Sequence, residues 1–472
     1  MFRKNSTFLL LVYLIFLTFT IALNGKSIKR VISERLISQI DYPAIKRESF
    51  QVSPDNRRIA YITWEPYLFV RDKEGRERFL GTNEIVVVDG RKSRDYDKVD
   101  TLIFSPDSRH FAYSAKIGNK YFIVFDWKET EEYDGVGIPA LSYDGNSIAY
   151  GAQKGNDWFM VIDGSEVNRY DWVGTPIFNP TGISIAYIAQ IGNELFAVVD
   201  DKEGKRYNNI SDLTWSRDGR HIAYKASESN MELVVFDGKE GKEYNFIDTL
   251  ILSPKGGQIA YPAELNGKYF VVLDGEEGRE YDGIGKRTIT LSQDGRHLAY
   301  VAILFNKHLA VINGREEVEY DGIDTLIISP DGNHYAYSAR IADKYFVVLD
   351  GREGNEYDAI GKGSLIFSPD SKKLAYSAAT GYKKFIVLNE MEGNQYDGIK
   401  PPVFSPDSKH IVYPALIGDK WVIVVDETEG RSFDRILKPK KGKYIVFDSN
   451  RRFHYLAIKN DEIYLVEEEI GE

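Results

Sequence analysis

Five histidines stand at one phase of a repeated phrase. His110, His221, His297 and His334 each precede an apolar residue, Ala and Tyr, and His410 precedes Ile411-Val412-Tyr413. Imidazoles near neutral pH can ligate a metal or carry a proton. Tyr-Asp pairs recur in the same way, at Tyr96-Asp97, Tyr133-Asp134, Tyr281-Asp282, Tyr320-Asp321 and Tyr396-Asp397. Their carboxylates offer oxygen ligands for a ring of cations. A residue type kept at one phase of most repeats serves the repeat, however, whereas a site for one ligand breaks the symmetry. The histidines therefore read as scaffold, and the Tyr-Asp carboxylates as acceptors for loop amides. Asn208 and Asn245 replace two of those aspartates. No metal and no cofactor is expected. There is no Gly-x-Ser-x-Gly elbow, no His-Glu-x-x-His and no Walker loop. Gly283-Ile-Gly-Lys286 joins two strands and lacks a helix to hold a phosphate. With 71 Asp and Glu in the chain, a paired-carboxylate site acting on polysaccharide stays open, although no pair stands out.

The residues that break the symmetry are cationic and aromatic. Tyr61 to Asp89 spans 28 positions where Tyr113 to Asp126 spans 13, so the first copy carries a 15-residue insertion between its second and third strands. The insertion holds Trp64, Tyr67, Phe69, Arg71 and Arg76, and its alternation predicts a projecting hairpin. Lysines and arginines also cluster in the loops that lead into the first strands of successive copies. These are Lys362, Lys400, Lys438, Lys440 and Lys441, then Lys46 and Arg47, then Lys98. Copies three to six carry no Lys or Arg there. If the repeats form a ring, these loops and the insertion lie on one face as neighbours, which makes them the candidate partner-binding residues.

The elements that position them follow from the repeat. A Ser-Pro-Asp-Gly-type turn recurs eleven times, with the Ser position at Ser53, Ser105, Ser142, Asn179, Ser216, Ser253, Ser292, Ser329, Ser368, Ser405 and a decayed Phe447. Most steps are 37 residues, so each repeat is one supersecondary unit that buries its apolar faces only by stacking on neighbours. Residues 101 to 137 read as four strands punctuated by turn residues, such as Gly118-Asn119 at a tight hairpin. Four antiparallel strands per repeat describe a blade of an all-β propeller. The eleventh copy has three strands, and Asp41 to Ile45 at the other end matches the outer strand it lacks. One ring of eleven blades closed by the N-terminal strand is the expectation, with two tandem propellers as the alternative.

The 472 residues carry a net charge of −11, which argues against nucleic acid as a partner. Absence of cysteine removes disulfides and thiolate chemistry. Arg3 and Lys4 precede a 16-residue apolar run from Phe8 to Leu23, the layout of a secretory signal or signal anchor over residues 1–23. Residues 24–40 then read as a spacer with a short helix, because Ile28, Val31, Ile32, Leu36, Ile37 and Ile40 fall near helical spacing. Residues 41–472 are propeller. Membrane contact is expected only through an uncleaved N-terminal segment.

The Ser-Pro-Asp-Gly…Ala-Tyr phrase resembles the WD-repeat-like propeller repeat of TolB-type proteins, over nearly all of residues 41–470. The resemblance lies in the repeats alone, since the stretch before Asp41 is too short for TolB's additional N-terminal domain. It implies a non-catalytic partner-binding platform in a bacterial or archaeal envelope, periplasmic or extracellular, whose partner is an envelope protein or an anionic polymer. A polysaccharide hydrolase or lyase with carboxylates near the central channel is the alternative.

Overall fold

Each Ser-Pro-Asp turn begins a strand whose residues alternate between two buried faces. The computed structural model describes residues 17–19, 29–40, 44–64, 68–71, 74, 77–80 and 83–471. Among the described residues, eleven antiparallel sheets of four or more strands follow one another along the chain. Blades 1 to 11 have their second strands at Ile59–Trp64, Phe111–Ile117, Ile148–Lys154, Ile185–Ile191, Ile222–Glu228, Ile259–Leu265, Leu298–Leu304, Tyr335–Ile341, Leu374–Thr380, Ile411–Ile417 and Arg452–Lys459. In blade 2 the order is Lys98–Phe104, Phe111–Ile117, Lys120–Phe125 and Lys128–Glu129.

The core is divided into eleven apolar clusters, one at each junction between neighbouring blades. The Ala-Tyr phrase explains their form. Adjacent residues of a strand point to opposite faces, so Ala112 faces blade 3 while Tyr113 faces blade 1. A methyl-sized forward face thus receives the tyrosine-bearing face of the next sheet, and both positions are fully buried. The tyrosine of the Tyr-Asp pair completes the joint. Tyr96 meets Tyr113 edge to face at 5.9 Å and 68°, and the contact recurs down to Tyr396–Tyr413 and Phe433–Tyr455. Each such contact contributes about 0.5–1.5 kcal/mol beyond the area it buries.

The cluster between blades 11 and 1 makes the assembly a single closed ring. Arg30–Gln39 pairs antiparallel with Glu462–Ile470 as the fourth strand of blade 11, with Arg30 opposite Ile470 and Gln39 opposite Glu462. Leu17–Phe19 pairs outside it with Arg30 to Ile32. The short helix expected within residues 24–40 is therefore replaced by a strand, and the closing strand is 30–39 rather than 41–45. A register shift between Leu36 and Ser38 explains the misreading, because it moves the buried face from Arg30 and Ile32 onto Ser38 and Ile40. Apolar residues on both sides of that bulge mimic a helical stripe. Residues 41–43 lie outside the described residues, and Ile45 bridges Thr63 of blade 1.

A buried ion pair fixes this strand. Arg30 Nε donates to Glu468 Oε2 at 2.8 Å, and its Nη1 reaches the carbonyls of Ile423 and Thr428 in blade 10. Tyr455 donates to the other Glu468 oxygen at 2.7 Å, and burial beside that carboxylate holds the phenol well above its ordinary range. Breaking a buried pair strands one charge without a partner, at about 3–5 kcal/mol. Arg30→Met should therefore give an early unfolding step in urea, with hydrogen exchange rising first over 462–470. The double variant Arg30→Met, Glu468→Met should recover most of that loss. A single variant with wild-type exchange over 462–470 would contradict this account of closure.

Candidate binding face

Positions repeated in every blade resolve first. His110, His221, His334 and His410 place Nδ1 at 2.5–2.7 Å from an Oδ2 of Asp126, Asp237, Asp350 and Asp426. His297 meets Asn313 instead. The same aspartates accept the backbone N–H that follows each histidine, and Asp163 does so at 2.8 Å in blade 3, which has Ser147 in the histidine position. These histidines buttress a turn. A Cβ on Gly145 would lie 2.3 Å from His110 Cδ2, so the next blade's turn, at φ +71°, sits directly against the ring. Among the described residues no group of three His, Asp or Glu is arranged to hold a metal.

The Tyr-Asp carboxylates act as straps between blades. Asp134 accepts Lys120 Nζ in its own blade at 2.7 Å and the N–H of Gly155, in the next blade's hairpin, at 2.8 Å. Asp358 and Asp397 repeat this with Lys344 and Gly381, and with Lys383 and Gly418. Asn208 and Asn245 keep the backbone half of the strap. These contacts also show that the hairpins between second and third strands and the loops entering the first strands share one face.

That face carries every lengthening of the repeat. Blades 7 and 9 add two residues on entry to their first strands, giving Ile284-Gly-Lys-Arg-Thr288 and Ile360-Gly-Lys-Gly-Ser364. In both, the closing hydroxyl donates to the carbonyl of Gly285 or Gly361 and accepts an N–H from the second strand. Ser49 closes the same turn onto Lys46 in blade 1. Blade 11 holds Lys438 to Lys443 there, and blade 1 adds the insertion, where Leu68–Arg71 pairs with Glu77–Leu80 as the expected hairpin. The opposite face is constrained by bonds between successive Ser-Pro-Asp turns, such as Asp55 N to Ser108 Oγ at 2.9 Å and Asp370 N to Ser408 Oγ at 3.0 Å.

The structure sorts the candidate cations by what they touch. Lys46 is consumed internally, pairing with Glu84 at 3.0 Å, and Glu84 in turn caps the Val99 N–H of blade 2. Lys98 pairs with Asp100 at 2.6 Å. Lys400 lies 4.8 Å from the Trp421 ring and 5.6 Å from Tyr444, and Lys438 lies 5.6 Å from the same tyrosine. Lys362, Lys440, Lys441 and Lys443 are exposed and have no ion pair among the described residues. Trp64, half-exposed, sits opposite Glu84. Phe69 and Arg71 lie in the hairpin strands and Arg47 in the turn Arg47–Ser49, while Tyr67 and Arg76 lie outside the described residues. Trp421 and Tyr444 are not among the residues that break the symmetry of the repeat in sequence. Their signal was a Trp at a rim position shared with Tyr121, Trp158 and Tyr269, and an aromatic closing the lysine loop.

Two further features bear on chemistry. A cavity of about 360 Å³ opens between blades 6 and 7, lined by Phe246, Asp248, Pro262, Ala263, Tyr269, Ile284 and Lys286. Two carboxylates on the first strands are held by lysines, Asp100 by Lys98 at 2.6 Å and Asp212 by Lys225 at 2.9 Å.

No protein-family model matches the chain and no curated relative matches its sequence. Its fold is similar to that of solved β-propellers. One is the Dos1 propeller, at 14% identity and TM-score 0.32, covering 62% of this chain and 90% of that one. A second is the Cps50 (Swd1) β-propeller domain of Myceliophteria thermophila, at 14% and 0.27, covering 62% and 94%. A third is TolB from Acinetobacter baumannii, at 15% and 0.24, covering 57% and 77%.

The turn and strap carboxylates make the ring acid-sensitive. Hydrogen bonds from Ser142, Ser292, Ser329 and Ser368 hold Asp144, Asp294, Asp331 and Asp370 below the ordinary range. Lysine partners do the same for Asp134, Asp358 and Asp397. A depressed folded-state pKa gives stability that is present above the unfolded value and lost as pH falls through the folded one. Calorimetry should show a flat Tm from neutral pH down to about pH 4, the unfolded aspartate value, and a steep fall below it. A Tm unchanged in strong acid would contradict this.

Proposed function

We propose that this face is an exported, non-catalytic platform that binds an anionic partner of the cell envelope. The observation that carries the reading is the set of lysines on blades 9 to 11, where Lys362, Lys440, Lys441 and Lys443 have no ion pair among the described residues, Lys400 lies over Trp421 and Tyr444, and Lys438 lies over Tyr444. A net charge of −11 does not oppose it, because charges beyond about 10 Å are screened at 0.1 M salt. The local field over the cluster is set by the lysines. Aromatic faces beneath two of them supply flat apolar contact, so the surface suits an acidic polymer or an acidic protein surface equally. Export rests on Arg3 and Lys4 ahead of the apolar run Phe8 to Leu23.

Co-sedimentation with the insoluble envelope fraction tests the reading. The native chain should be retained at low salt and released as salt rises, and Lys362→Glu, Lys438→Glu, Lys440→Glu, Lys441→Glu together should lower retention at least about tenfold, or 1.4 kcal/mol. Full retention of the folded fourfold variant would overturn the proposal.

A further inference from the structure

The cavity between blades 6 and 7 has a composition that the lysine cluster does not explain. Its walls are apolar, from Phe246, Pro262, Tyr269 and Ile284, and its two charges come from different blades. Asp248 stands on the loop entering the first strand of blade 6. One of its oxygens accepts Thr249, from N at 2.8 Å and Oγ1 at 3.1 Å, and the other has no donor among the described residues. Lys286 stands at the tip of the lengthened turn of blade 7 and is exposed, with no ion pair among the described residues. Asp248 and Lys286 do not pair with each other, so a carboxylate and an ammonium border one open cavity walled in part by apolar side chains.

The repeat supplies an independent comparison. At the junction of blades 8 and 9 the equivalent positions hold Asp324, Tyr345, Ile360 and Lys362, on the only other turn with the Ile-Gly-Lys sequence. Asp324 and Lys362 are likewise exposed and unpaired among the described residues. Between these two junctions, blades 7 and 8 present Gly285, His308 and Thr325 instead. At blades 10 and 11 the same positions carry Lys400, Trp421 and Lys438, two cations rather than a cation and an anion. The aspartate, aromatic and lysine set thus appears twice, each time with the two-residue lengthening that presents the lysine.

We propose that the cavity between blades 6 and 7 binds a free α-amino acid with an apolar side chain. Asp248 takes the ammonium group, Lys286 takes the carboxylate, and Phe246, Pro262, Tyr269 and Ile284 enclose the side chain. A volume of about 360 Å³ lies at the small end of ligand pockets, which fits one residue rather than a peptide. The junction of blades 8 and 9 has the same charges, but Gly322 and Ser338 replace Phe246 and Pro262, so it binds the same ligand more weakly.

Calorimetric titration of the full chain with L-phenylalanine and L-leucine tests this. Saturable binding is expected, with N-acetyl-phenylalanine and phenylalanine amide each weaker by at least about tenfold, or 1.4 kcal/mol. Asp248→Asn should abolish discrimination against the N-acetyl form, and Lys286→Gln discrimination against the amide. Both side chains lie outside the lysine cluster of blades 9 to 11, so this result and that of envelope retention stand or fall separately. Absence of saturable binding, or binding indifferent to both blocked forms, overturns the proposal.

Discussion

The fit of an alanine-bearing sheet face against a tyrosine-bearing one is the contact on which the rest of the ring depends. A four-stranded sheet of this size cannot hide both faces by itself, and repetition gives it a neighbour of fixed shape on each side. Ala112, Ala149 and Ala186 are wholly buried. Tyr150 fills the space that Ala112 leaves, and Tyr187 the space that Ala149 leaves. Interiors are close-packed, so the small-against-large pairing fixes spacing and tilt at each junction. Eleven nearly identical junctions then divide one full turn.

The junctions of blades 10, 11 and 1 are where the two ends of the chain must meet, and charge enters there. Blade 11 places His454 where the other blades have Ala or Val. Its Nε2 lies 2.7 Å from the Asp55 carbonyl and its Nδ1 2.8 Å from Asp448, which Arg57 also contacts at 2.9 Å. Arg30 and Glu468 add the buried pair that ties the N-terminal strand to blades 10 and 11. Apolar packing tolerates a slipped register, whereas hydrogen-bonded charges do not. Placing them at the closure gives one register to the sheet of blade 11, which is assembled from both ends of the chain.

Much of this was legible in the sequence, for a physical reason. The repeat reports positions whose environment recurs, so blade count, ring closure and the parts played by His110 or Asp134 follow from phase alone. The closing strand at 30–39 escaped because its bulge breaks the two-residue period that marks a strand. The fates of the lysines escaped for another reason. Lys46 is neutralised by Glu84, 38 positions away, and Lys400 rests on Tyr444, 44 positions away, so the contact is set by a neighbouring strand or blade. Phase can show that a cation is unusual; it cannot show what the cation meets.

The two faces of the ring differ in freedom for the same reason that they differ in chemistry. On one, several turns are bonded to the next, as Asp331 N is to Ser371 Oγ, and glycines such as Gly256 lie against the preceding blade's serine, aspartate and histidine. An added residue there would break two blades at once. On the other face, the strap holds the start of each loop, through Asp358 to Gly381 for example, and leaves the next several residues to solvent. Residues can be inserted beyond the strap without disturbing the Ala-Tyr joint. The lengthened turns, the lysine loop and the hairpin all occupy that permitted place, so this face can change its surface chemistry while the ring keeps its geometry.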